Sequence, residues 1–292
     1  MRAVKPEPDR LAALRLDALA GDAHAIDTLS ERLARSGPIG ARYAAGDHEG
    51  AWDALVAQGA AVRAPERREE AQAVAWETMR RVRRNLEVLL PRLDAAGYER
   101  APGGLAPPRP EVELDTIERY LGGPLPLSLR AFWAVVGSVD LSRRWLGPPR
   151  AWGEESPADD LGLDDPLVVP APRLEDYRRT RDSTPDDHGR HLFELSEDRH
   201  GKANRSGGPG YALWLPDARA DFRIYCDVCP VEERADESAL GYLADGQLFV
   251  RLLRDSMRGG GFRGPIDETS DEIVRLPLRP LQLRLAEGLL PL

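Results

Sequence analysis

Residues 193–265 place short β-type runs, tight turns and a helix within one stretch, and that mixture constrains the fold more than any other feature of the chain. The stretch opens FELSEDRHGKANRSGGPGYALWLPDARADFRIYC. Asp198, His200, Lys202, Asn204 and Ser206 crowd a bend rich in glycine (Gly201, Gly207, Gly208 and Gly210). Tyr211 to Leu215 then reads as a strand, closed by Pro216-Asp217. Further on, the spacing predicts a helix from about Gly246 to Met257, with Leu248, Phe249, Leu252 and Leu253 on its apolar face and three glycines behind it.

The segment upstream completes the pattern. Val112, Leu114, Ile117 and Leu121 line a predicted helix that Gly122-Gly123-Pro124-Leu125-Pro126 interrupts. A second helix begins at Leu127-Ser128, presents Leu129, Phe132, Trp133 and Val136, and closes at Gly137. Strand-like runs follow at 167–169, 191–195, 211–215 and 222–225. Helices, then short strands, then a helix read as α+β with an antiparallel sheet.

Residues 1–97 read as helical instead. Apolar stripes fall at Leu11 to Leu19, at Ala25 to Leu33 before a stop at Ser36-Gly37-Pro38, and at Trp52, Leu55 and Val56. The clearest runs through Ala75, Met79, Val82, Leu86, Leu89 and Leu93, a seam alternating spacings of four and three, which Pro91 is expected to kink or end. Arg80, Arg81, Arg83 and Arg84 flank that seam, with Glu69, Glu70, Glu77 and Glu87 to offset them, so a solvated face is expected there rather than a nucleic-acid surface. The resulting division is a helical region over 1–97, a stiff Pro/Gly linker over 98–110, an α+β domain over 111–265 and a weakly structured tail over 266–292. Leu281, Leu283 and Leu285 alternate in that tail and suggest an edge strand.

Charge separates the two halves. Residues 1–97 hold 15 basic and 15 acidic side chains, whereas the remainder holds 25 and 34 and so carries the whole formal charge of −9. An acidic surface repels nucleic acid and favours basic partners. The sequence has no run of 18 apolar residues and its opening lacks an apolar signal core, so neither a membrane helix nor secretion is expected, and two cysteines argue against a disulfide scaffold. A cytoplasmic protein without a cofactor is the expectation.

Three chemical readings are weak. Cys226 and Cys229 form a lone CxxC that could be half a zinc site, with His188 and His191 nearby, or a redox pair. A redox motif should open a helix, yet Pro230 follows. Asp198, His200 and Ser206 have hydrolytic residue types but no nucleophile elbow. The SGGPG run precedes a strand rather than a helix, unlike a phosphate loop. No enzyme activity and no metal site are expected.

Residues 112–140, VELDTIERYLGGPLPLSLRAFWAVVGSVD, resemble the opening of the SUKH superfamily, which holds yeast cell-wall-synthesis regulators and many bacterial immunity proteins. The matching positions are Glu118, Leu121-Gly122, Leu125-Pro126, Phe132, Trp133 and Gly137. Asp-Pro-Leu at 165–167 is similar to the family's strand entry. A bacterial subgroup with an N-terminal helical region is resembled by Asp198, His200, Lys202, Ser206, Gly207 and Gly208, by Tyr211, Leu215-Pro216 and Asp221, and by the run from Phe249 through Gly260 to Phe262. The acidic stretch 226–237 departs from the family pattern.

The resemblance implies an immunity protein that binds a cognate toxin, for instance a basic nuclease domain, and neutralises it by occlusion without catalysis. Expected contacts are the acidic loop Glu154, Glu155, Asp159, Asp160, Asp164 and Asp165 with Trp145 and Trp152 beside it, and the segment Glu232, Glu233, Asp236 and Glu237. A regulatory or scaffold protein, by analogy with the yeast members, and a CxxC metal or redox protein are the alternatives.

Overall fold

The computed structural model describes residues 31, 33–100, 104–142, 163, 165–171, 173, 177, 185, 189–196, 211–226, 248–263, 266, 267, 274, 275 and 278–292. Among these the chain is α+β, with every sheet antiparallel.

Helix α1 (Pro38–Ala44) starts where the sequence reading placed a stop. Proline is well suited to the first helical position, because its missing N–H has no partner to lose there. The Glu70 carboxylate accepts from the freed N–H groups of Ile39 (2.7 Å) and Gly40 (3.0 Å). Helix α2 (His48–Ala57) is capped by Asp47, which accepts from Gly50 N at 3.0 Å.

Helix α3 (Pro65–Ala95) is the long spine. All six residues of its predicted seam, Ala75 to Leu93, are fully buried. Pro91 falls in its last turn, and the helix ends at Ala95. The proline ring lies on the exposed face, and Leu89 and Leu93 on either side are anchored in the core, so packing holds the turn together despite one missing donor.

Helix α4 (Glu111–Leu121) stops at Gly122, which takes a left-handed φ of 73°, and α5 (Leu127–Val135) starts behind Pro126. Two orphan donors at the start of α5 are satisfied from a distance: Leu127 N and Ser128 N donate to the carbonyls of Arg219 and Ala220. Strand β1 (Leu105–Ala106) pairs with β2 (Ser138–Asp140), and β2 with β3 (Val168–Val169). Gly137 turns the chain from α5 into β2 with φ 91°, and a Cβ there would strike the carbonyl oxygens of Ala106 and Pro107, so only glycine fits. A second sheet orders β4 (His191–Ser196), β5 (Tyr211–Leu215) and β6 (Tyr225–Cys226), and β7 (Ile266–Asp267) pairs with β8 (Val274–Arg275). Of the predicted run 222–225, only Tyr225 joins the ladder, while Arg223 makes an isolated bridge to Leu248.

Helix α6 (Phe249–Arg258) follows, with Gly260 and Gly261 at positive φ behind it. Helix α7 (Pro280–Ala286) corrects the expected tail and edge strand. Leu281 and Leu285, four apart, share the packed face, and Leu283 points outward at 55% exposure. An alternating reading put all three on one face, whereas the helical period separates them.

One apolar cluster runs from Leu33 to Leu292. Helix α3 lies against α5, and Arg83 on it donates to the Val136 carbonyl at 2.9 Å. The segment expected as a linker is packed in its described part: Tyr98 is buried and donates to Leu141 O at 2.9 Å, Phe262 meets its ring edge-on, and Leu105–Ala106 form β1. Apolar neighbours draw in Tyr98, Gly104 and β1, whereas Pro107, Pro108 and Pro110 stay exposed.

Candidate functional site

The motif residues of 112–140 converge on the α4–α5 corner. Glu118 Oε1 accepts from Leu125 N at 3.0 Å, and its Oε2 lies 3.0 Å from Arg130 Nη1. One carboxylate therefore closes the loop and ties it to the next helix. Arg130 also reaches Asp115 (2.7 Å) and Glu111 (2.6 Å), one and two turns up α4 from Glu118. Burial opposes the Arg130 charge, but Glu118, Glu111 and Asp115 outweigh it and raise its pKa. The outer carboxylates of this fan, with Glu113, are more than half exposed. The α4 surface thus presents Glu111, Glu113 and Asp115 to solvent, with Val112 at 65% exposure among them. Inside the corner, Leu125, Phe132 and Trp133 are buried, and Leu121 packs on the core.

Two further motif carboxylates are internal. Asp221 accepts from Ser128 Oγ (2.6 Å) and from Val250 N (3.0 Å), joining α5 to the uncapped start of α6. Burial pushes its carboxyl up to about 7, with those hydrogen bonds pulling the other way. Asp165, expected in a partner-facing acidic loop, is instead buried, with φ 53°. It accepts from Tyr211 Oη at 2.7 and 2.9 Å and lies 3.8 Å from Arg263 Nη1. An interior carboxylate requires such partners, so Asp165 is a pin between the β3 entry and β5 rather than a contact residue. Burial first, and then the Asp165 charge, raise the Tyr211 phenol. Gly260 at φ 68° and buried Phe262 complete the turn behind α6.

The other predicted contacts, Trp145, Trp152, Glu154, Glu155, Asp159, Asp160, Asp164, Glu232, Glu233, Asp236 and Glu237, lie outside the described residues, as do Asp198, His200, Lys202, Ser206, Gly207, Gly208 and Cys229. Among the described residues, no three His, Cys, Asp or Glu side chains cluster to hold a metal, and no helix is long and apolar enough to cross a membrane.

A second locus has no counterpart in the sequence reading. A cavity of about 460 Å³ opens between the start of α2, helix α6 and residues 286–292. His48, Arg254, Met257 and Arg258 line it. His48 Nε2 meets Arg81 Nη1 at 2.8 Å. Arginine can only donate, so Nε2 accepts and the neutral ring carries its proton on Nδ1. Burial, followed by the charges of Arg81 and Arg254, lowers the imidazole to about 4. No sequence pattern marks this locus, because its walls come from positions some 200 residues apart.

No family model, no curated protein and no solved structure matches this chain.

Proposed function

We propose that this protein is an immunity factor that binds a cognate bacterial toxin and neutralises it by covering its working surface. The reading rests on the SUKH-like order of Glu118, Leu121-Gly122, Leu125-Pro126, Phe132-Trp133 and Gly137. The observation that carries it is the carboxylate-rich face of α4: Glu118 sits on its inner edge, and Glu111, Glu113 and Asp115 stand toward solvent, their four charges only partly offset by Arg130 and Arg109. That face belongs to the part of the chain holding the entire net charge of −9. Such a surface complements a basic domain and speeds its capture by electrostatic steering. Occlusion needs a rigid surface but no cofactor, and the Arg130 fan fixes the carboxylates in place.

The test is a pull-down of the tagged chain from its source cells, with mass spectrometry and then co-expression. A stoichiometric partner with a toxic domain, whose toxicity co-expression abolishes, is the expected outcome. Recovery of regulatory proteins alone would sink the immunity reading and put the scaffold alternative in its place.

A further inference from the structure

The cavity of about 460 Å³ beside the start of α2 is polar on one side and apolar on the other. Its polar groups are sorted by sign. The main-chain acceptors along it are already engaged: Asn85 donates to Leu290 O (2.9 Å), Arg81 to Pro291 O (3.1 Å) and Arg254 Nε to Leu292 O (2.9 Å). The Asp47 carboxylate takes Arg42 Nε and Gly50 N. Several donors, in contrast, are left over. Arg81 occupies His48 Nε2, so the ring offers only its Nδ1–H, and no described residue accepts from it. Arg254 is buried, and its Nη2 has no hydrogen-bond partner. Arg258 is 65% exposed and meets only Asp255, at 3.9 Å.

A wall with spare donors and engaged acceptors calls for a ligand that accepts, and buried donors left unmade are costly. The local charge agrees with this. At the His48 ring Arg81 and Arg254 outweigh Glu77 and Asp47, and one carboxylate, Glu77, serves both Arg80 and Arg81. Glu49 is the exception: it lies 3.6 Å from Arg254 Nη1, but it is 62% exposed and its hold there is loose. Met257, Leu289 and Leu290 supply the apolar side, which suits a carbon chain better than a bare inorganic ion.

We infer that the cavity between α2, α6 and residues 286–292 binds a small monocarboxylate with an apolar body, its head taken by His48, Arg254 and Arg258 and its body lying on Met257, Leu289 and Leu290. The site uses space that the fold leaves open and requires no element to move away. It goes beyond the toxin-binding reading and does not rest on it, so either can fail alone.

Calorimetric titration of the full-length protein with hexanoate tests the site, with 1-hexanol and inorganic phosphate as comparison probes. Hexanoate should bind with a Kd of about 1 mM or below. Hexanol, which lacks the charge, and phosphate, which lacks the apolar body, should each bind at least about tenfold more weakly. Two exposed positions then separate ligand binding from fold maintenance. Arg258→Gln should weaken hexanoate binding about threefold, and Glu49→Gln, which removes a competing carboxylate, should tighten it about threefold. In nitrogen-15 NMR of the wild type, the His48 ring signals should move as hexanoate saturates. No binding up to ~10 mM, or an unmoved His48 ring, overturns the inference. Hexanol binding as tightly as hexanoate removes the anionic head, and phosphate doing so removes the apolar body; either result overturns it. So does a Glu49→Gln chain that binds hexanoate no better than the wild type.

Discussion

Asp221 concentrates the chemistry of the core in one side chain. Its folded carboxyl titrates near 7, against an ordinary value near 4 in an unfolded chain, so the folded state holds the proton more tightly. The stability this supplies is complete below about pH 4 and is lost as pH rises through 7. His48 works in the opposite sense: its folded value of about 4 lies below the ordinary 6.5, so its contribution is present above pH 6.5 and lost as pH falls through 4. The two slopes offset each other in the wild type over that window. Comparison with Asp221→Asn isolates one of them. Urea midpoints should show the variant gaining on the wild type by about 2–3 kcal/mol between pH 5 and pH 7.5. A difference that does not change with pH would show that Asp221 is ionised throughout. Asp165 carries the related lesson about reading acidic runs: its neighbours in sequence suggest a solvated loop, yet Tyr211 and Arg263 draw it inside.

At the scale of elements, the period of the apolar residues decided what was legible. The α3 seam, with matches over six turn-spaced positions, was readable because a helix of that length repeats its signal many times. Helices α4, α5 and α6 were readable for the same reason, with Gly122, Gly137 and Gly260 as punctuation. Helix α7 was misread because three alternating leucines fit a strand as well as one short helical turn. Its two faces now separate cleanly in a mutational test. Leu283→Asp should leave the melting temperature close to the wild type, within about 0.5 kcal/mol, and Leu285→Asp should cost more than about 2 kcal/mol. Equal losses would restore the strand. Helix α1 is not legible in the sequence, because Gly37-Pro38 has the pattern of an ending and the cap that starts the helix, Glu70, comes from another element.

For the whole molecule, the continuous core predicts that the helical region and the α+β part unfold as one unit. Leu86→Ala in α3 should destabilise by about 2–5 kcal/mol, and circular dichroism and tryptophan fluorescence should still report a single shared transition. Two separated transitions would mean that the parts are independent. The charge imbalance yields a second expectation. Glu113→Lys leaves the Arg130 fan untouched and should slow association with a basic partner several-fold at low salt, an effect that fades once the Debye length falls to ~3 Å at 1 M salt. An unchanged rate would place the interface elsewhere. The sequence by itself determined the α+β class, the helix seams, the glycine turns and the acid-rich half, because each depends on residue type and short spacing. Tertiary structure alone decided that Tyr98 and Leu105–Ala106 pack into the fold, that Asp165 and Asp221 are internal pins, and that α3 and α6 grip residues 287–292. Those contacts join positions tens to hundreds of residues apart, and local pattern carries no information about which distant backbone a buried side chain will meet.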